Sequence, residues 1–257
     1  MNPIAGPIFV AGAERGDAFV LVIEDILVRD YSWIAIGPKR GPLGESSRWP
    51  ELSADYTTRI FPHHPGPSGT LRDGFLQFNE RIRWPLQPFI GTIGTAPDRE
   101  VTTSADGQGP WGGNIDVRDV APGNRIVLPV YHAGGLFYLG DVHASQGDTE
   151  FTGTAAETQA TVRLRFEVRK GAAPAWMRIE KPDSIIALSA YRPLETAVEN
   201  ATFHMMEWLI ADFAFTPTDA YCLVSCCPDF RVHVYQSCRI GKLSCVAGVE
   251  LPRSYLP

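Results

Sequence analysis

The chain has 257 residues, 44% of them apolar and 11% aromatic, which suffices for one large domain or two modest ones and excludes a disordered or fibrous polypeptide. Its 23 basic and 29 acidic residues leave a formal charge of -6, and with no Lys/Arg cluster this balance argues against nucleic acid as a partner. No apolar run reaches signal or spanning length, so no membrane association is expected and the expected location is cytoplasmic.

The cysteines are Cys222, Cys226, Cys227, Cys238 and Cys245, an odd number crowded at one end. A disulfide scaffold would spread and pair them, so reduced thiols are expected. The 24 glycines and 21 prolines predict many tight turns and few long helices, which disfavours a doubly wound α/β fold.

In chain order, Pro7 to Val10 and Ala18 to Ile23 read as strands joined by a turn over Gly12 to Gly16, where Glu14 and Asp17 have structural roles. Two breaker-rich loops follow, Gly37 to Gly44 and Pro62 to Gly69; the polar text between, from Ser47 to Arg59, carries no clear period. Leu71 to Arg83 predicts a hairpin turning at Asp73-Gly74. Prolines and glycines exclude a helix from Pro85 to Pro97 and predict a rigid wall or crossover. The strongest β-text is central: Arg125 to Tyr131, with Pro129 marking an edge or bulge, then Gly135 to Leu139 and the alternating Ala160 to Val168. One amphipathic helix is predicted from Glu195 to Phe213, with Val198, Ala201, Met205, Leu209 and Ile210 on its apolar stripe. Ala220 to Ser225 and Arg231 to Tyr235 read as two further strands. The expected fold is mainly β: a β-sandwich-like body over residues 1–170 that carries the polar motif, with a smaller mixed α/β portion over 171–257 packed on it, or one continuous domain.

Polar groups concentrate from Asn114 to Glu157, and the stretch from Gly140 to Glu150 is the densest. Asp141 and His143, two apart on an extended segment, share a face and can share one metal ion. Asp116 can complete the shell from a neighbouring loop. The competing reading is ordinary acidic turn chemistry with a hydrogen-bonded His–Asp pair. Motifs for dinucleotide, P-loop, HExxH zinc and GxSxG chemistry are absent. A Cys226 or Cys227 nucleophile near His233 is a minor alternative, as are site roles for His63, His64 and His132; His204 reads as packing. Trp33, Trp49, Trp84 and Trp111 are candidate interface or pocket aromatics.

Five segments in order resemble the acetamidase/formamidase family: GPIFVAGAERGD, PLQPFIGTIGTAP, WGGNIDVRD, GLFYLGDVHASQGDTEFTGTAAET and AYCLVSCCPDFRV. The resemblance implies hydrolysis of small linear amides to ammonia and a carboxylate, a β-rich fold and a homo-oligomer, taken as a dimer. It places the family's polar motif on Asn114, Asp116, Asp141, His143, Gln146, Asp148 and Glu150, with a following acid at Glu157. The working assignment gives the metal to Asp116, Asp141 and His143, with Zn²⁺ first and Ca²⁺ or Mn²⁺ as alternatives. Glu150 is then the proton carrier, Gln146 or Asn114 binds the carboxamide, and Asp148 orients His143. Family members carry further sequence ahead of the part matching Asn2 to Ile8, and Thr149 and Cys226-Cys227 depart from the usual pattern. Those departures keep open a cyclic or larger amide as substrate, or a metal-binding β-module without turnover.

Overall fold

The computed structural model describes residues 2–44, 46, 48 and 50–257. Ser47 and Trp49, both in the unassigned polar text from Ser47 to Arg59, lie outside them. The chain is mainly β with a smaller α/β portion, as the sequence predicts.

Two sheets enclose the main core. A seven-stranded antiparallel sheet contains Ala160–Arg169, Ala18–Val28, Arg125–Pro129, Arg178–Glu180, Ser184–Tyr191, Cys245–Pro252 and Arg231–Gln236, in that spatial order, and so draws strands from both sides of residue 170. A five-stranded sheet is centred on Phe89–Gly94 and Phe137–His143. Phe19, Leu21, Ile126 and Leu128 from the first meet Ile90, Ile93, Phe137 and Val142 from the second in one apolar cluster. The period of two puts Phe19, Leu21, Ile126 and Leu128 on one face of the first sheet, whereas Phe89–Gly94 is buried on both faces and contributes from each.

Ser184–Tyr191 is buried on both faces: Ile186 and Leu188 enter the main core, while Ile185 and Ala187 face a second cluster beneath the helix Leu194–Phe213. That helix buries Ala197, Ala201, Met205, Trp208 and Leu209, and its stripe is rotated from the predicted one because Ile210 is exposed and Trp208 is not.

Four readings are corrected. Ala220 to Ser225 is helical, within Pro217–Cys226. Thr216 caps it by accepting from the Asp219 backbone N–H at 3.1 Å, and Pro217 occupies the first turn, where its missing N–H costs nothing. The predicted hairpin turn at Asp73-Gly74 instead closes a 3₁₀ turn, and the strands Phe75–Gln77 and Arg83–Pro85 reverse through Asn79, whose Oδ1 accepts from Arg81 and Ile82. The segment read as a wall is the middle strand Phe89–Gly94 of the five-stranded sheet, fully buried. Trp111 is 2% exposed and serves no interface. Pro129 sits inside a sheet but past the last residue paired with Arg178–Glu180, so its strand is locally an edge there.

Candidate metal centre

His143 ends the strand Phe137–His143, and its imidazole is 1% exposed among four carboxylates. Nε2 lies 3.3 Å from Glu157 Oε2, 3.7 Å from Asp141 Oδ1 and 3.9 Å from Asp116 Oδ1. Glu150 completes the group; single donor atoms of Asp116, Asp141 and His143, and again of His143, Glu150 and Glu157, lie within 4.8 Å of one another.

Each acid arrives differently. Asp141 belongs to the same strand as His143. Asp116 follows Gly112–Asn114, and its N–H and that of Ile115 both donate to the Gly91 carbonyl at 3.1 Å. Gly91 is required by close approach: a Cβ there would fall 2.6 Å from Asp116 Oδ1 and 2.7 Å from the Asp141 carbonyl oxygen. Glu150 projects from a 3₁₀ turn, Asp148–Glu150. Glu157 is held by backbone bridges to His143 on one side and Trp33 on the other. Asp116, Asp141 and Glu150 all adopt left-handed backbone conformations (φ 47°, 58° and 43°). Such conformations cost about 1–3 kcal/mol each and persist where surrounding structure enforces them, which is characteristic of functional sites.

Asn2 donates to Asp141 Oδ2 at 2.7 Å and the Thr92 hydroxyl does so at 3.1 Å. Gln236 donates to both Asp116 Oδ2 and Glu150 Oε2. Its amide orientation is set from outside: the Ser244 N–H donates to Gln108 Oε1 at 2.7 Å, so Gln108 Nε2 faces Gln236 Oε1, and Gln236 must turn Nε2 to the carboxylates. Each donor takes one oxygen and leaves another. Asp116 Oδ1 and His143 Nε2 remain buried without a hydrogen-bond partner among the described residues.

The electrostatics show a cluster short of positive charge. Burial, reinforced by the Glu150 charge, pushes the Asp116 carboxyl well above the ordinary range, and burial raises Glu150 to about 6. Burial opposes the charge on His143, but Glu157 and Asp141 outweigh it and hold the imidazole well above its usual value. Burial likewise opposes ionisation of Asp141, yet His143 and Thr92 keep its carboxyl below the ordinary range. Protons or a cation must neutralise this group. Separations of 3.3–3.9 Å between donor atoms suit ligands around one ion at about 2.0–2.2 Å better than they suit hydrogen bonds. The residues present therefore fit a divalent cation.

The remaining candidates fall in different places. Asn114 is buried beside the cluster but its amide is engaged: Nδ2 donates to the Ala105 carbonyl at 3.0 Å, and Oδ1 lies 3.2 Å from the Thr92 hydroxyl, whose one hydrogen it shares with Asp141. Gln146 Oε1 lies 2.9 Å from His143 Nδ1 and accepts from it. Asp148 points outward, more than half exposed, and pairs with Arg118. His63 bonds Ser32 and the Arg29 carbonyl, His132 bonds the Pro97 carbonyl, and His204 bonds the Leu188 carbonyl; none enters the cluster. Glu157 stands in the polar segment the sequence singles out, although it was not assigned to the metal. Asn2, Thr92, Gln108 and Gln236 had no local signal, because each is brought in by long-range pairing.

The cluster opens on a cavity of about 400 Å³ lined by Asn2, Tyr31, Trp33, Arg40, Asn114 and Leu243 as well as by four of the cluster's acids. Its polar floor and mixed walls suit a small polar molecule.

Residues 107–189 match the acetamidase/formamidase family model. An acetamidase structure from Bacillus halodurans is 32% identical with a TM-score of 0.87, covering 99% of this chain and 80% of that one. One from Yersinia enterocolitica is 30% identical with a TM-score of 0.85, covering 100% and 75%. The formamidase of Methylophilus methylotrophus is 31% identical over 190 residues, 58% of this chain and 47% of that protein. The chain spans about half the length of the curated relatives it matches. At this level of identity and shared architecture, the chain belongs to the acetamidase/formamidase family.

Proposed function

We propose that the protein hydrolyses the carbon–nitrogen bond of small linear amides, releasing ammonia and a carboxylate, at a divalent metal centre. The observation that carries this reading is the pair of buried, unpartnered atoms, His143 Nε2 and Asp116 Oδ1, converging with three further carboxylates at the end of a cavity. Asp116, Asp141 and His143 would hold the ion, with Glu157 as a further ligand. One nitrogen and several oxygens favour Zn²⁺, with Mn²⁺ or Ca²⁺ as alternatives. Such an ion supplies Lewis acidity and acidifies a bound water.

The chain's own residues do the rest. Glu150, whose carboxyl burial raises above the ordinary range, can exchange a proton at Oε1, the oxygen Gln236 leaves unbonded. It can take a proton from the attacking water and return it to the departing nitrogen. Gln236 fixes that carboxylate relative to Asp116 through one amide group. Asn2 and Thr92 keep Asp141 turned toward His143.

No helix among the described residues is long and apolar enough to cross a membrane. Five unpaired cysteines suit the reducing cytoplasm, and the exposed Phe9, Tyr56 and Ile60 support assembly as a homo-oligomer, in the first instance a dimer.

Ammonia release from formamide, acetamide, propionamide and a five-membered lactam, before and after chelation and metal restoration, tests the proposal. Metal-dependent turnover of the linear amides is expected. Turnover of the lactam alone would move the substrate to cyclic amides, and a folded, metal-loaded protein inactive on the whole panel would sink the reading.

A further inference from the structure

Gln146 stands behind His143, and both ends of its amide are hydrogen-bonded within the protein. Nε2 lies 3.0 Å from the Asp116 carbonyl oxygen and 3.0 Å from the Tyr235 carbonyl oxygen. Carbonyl oxygens only accept, so this end of the amide must be the NH₂ group, with both hydrogens committed. The opposite end is then the oxygen, and it lies 2.9 Å from His143 Nδ1. An oxygen there requires a hydrogen on Nδ1. The ring cannot satisfy Gln146 in its other neutral tautomer, in which Nδ1 carries a lone pair.

We propose that Gln146 is a positioning residue that locks His143 in the Nδ1–H tautomer and so presents the Nε2 lone pair to a cation among Asp116, Asp141 and Glu157. The proposal rests on the metal reading above and reassigns Gln146 from substrate binding. The lock is built from the backbone: the carbonyl of Asp116 itself is one of its two anchors, so the loop carrying one acid also sets the imidazole that faces it. Phe89 supports the ring from the side, its centroid 5.0 Å away in an edge-on arrangement. The role expected of Asp148 thus belongs to an uncharged amide two residues earlier, while Asp148 pairs with Arg118 at the surface. A neutral acceptor adds no further negative charge to a cluster that already holds four acids.

Two variants separate positioning from simple structural support. Gln146→Leu removes the acceptor and both donors. Gln146→Glu keeps an oxygen for Nδ1–H but loses both donations to the carbonyls. Thermal stability falls in both, so it does not discriminate; metal affinity does. Zn²⁺ and Mn²⁺ dissociation constants, measured on the full chain by competition with a chromophoric chelator, are expected to weaken about 10–100-fold in Gln146→Leu and clearly less in Gln146→Glu, which keeps the acceptor for Nδ1–H but not its two anchors. Equal weakening in both variants, or none in Gln146→Leu, would overturn the proposal. The tautomer gives an independent readout. In metal-free protein labelled with ¹⁵N-histidine, at a pH that holds the ring neutral, Nδ1 is protonated and Nε2 bare in the wild type, and Nε2–H returns in Gln146→Leu. A wild type that binds neither ion but shows this tautomer pattern sinks the metal reading and leaves the positioning role standing. An Nε2–H tautomer in the wild type sinks the positioning role whatever the metal result.

Discussion

Two clusters of ionisable side chains lie on either side of Tyr235, and they differ in one respect that matters more than their charge. In the first, Lys181 Nζ bridges Asp119 at 3.0 Å and Glu250 at 2.9 Å, Tyr235 donates its hydroxyl to Asp119 at 2.7 Å, and His233 bonds Glu250 at 2.7 Å. Donors and acceptors are matched, and cations stand between anions. In the second, four carboxylates surround one imidazole and two buried atoms have no partner among the described residues. A matched network ties strands together; an unmatched one leaves lone pairs for something else to fill. The density of charge is similar, so density alone does not identify a site. The convergence of two unpaired buried atoms with further carboxylates at one cavity does.

The largest effect that would break this contrast is at Glu150. Glu150→Gln is isosteric and is expected to lower kcat on acetamide by about 10²–10⁴-fold with circular dichroism unchanged. Full activity in that variant would remove Glu150 as the proton carrier. Gly91→Ala tests the cluster's geometry without touching a ligand: the added methyl must displace the Asp116 carboxylate or the Asp141 carbonyl. Weakening of Zn²⁺ affinity by about tenfold or more is expected, the scale on which outer supports of a metal site act. Unchanged affinity would mean the cluster has more freedom than its close contacts imply.

Changes in the matched network are expected to alter stability and spare the chemistry. Lys181→Met removes the cation between Asp119 and Glu250, which keep only their neutral partners, and should cost about 1–3 kcal/mol in urea unfolding, with per-molecule amide hydrolysis of the folded protein unchanged. Loss of activity in step with that variant would erase the distinction between the clusters. The same network sets a pH dependence. The hydrogen bond from His233 opposes burial and, with Ser184 and Lys181, lowers the Glu250 carboxyl to about 2 from 4.5. Because the folded value lies below the unfolded one, this contribution is present above about pH 4.5 and is lost as pH falls toward about 2. Unfolding free energies measured down that range check the sign. The smallest expected effect is none: alkylating the exposed Cys222 and Cys226 should leave hydrolysis intact, and inactivation would revive a thiol mechanism.

Much of the fold was legible locally. Alternation marked Ala160 to Val168, and a 3.6-residue period marked the long helix. The helix at Pro217–Cys226 was legible too, since Thr216-Pro217-Thr218-Asp219 is a cap, a first-turn proline and a first-turn acid, yet its Val and Cys content read as strand. The hairpin turn was misplaced because Asp-Gly is a turn signal that does not say which turn it makes.

For the site, the sequence by itself determined the family resemblance and the pairing of Asp141 with His143 as candidates, because they are two apart at one strand end; the left-handed backbone of Asp141 was not legible there. Only the tertiary structure decided the rest. It brought Asn2, Thr92 and Gln236 onto the acids, turned Asp148 away, added Glu157 and anchored Gln146 on the Asp116 and Tyr235 carbonyls. Those partners are chosen by the pairing and register of strands remote in sequence, and register is a property of the assembled sheets that no single segment carries.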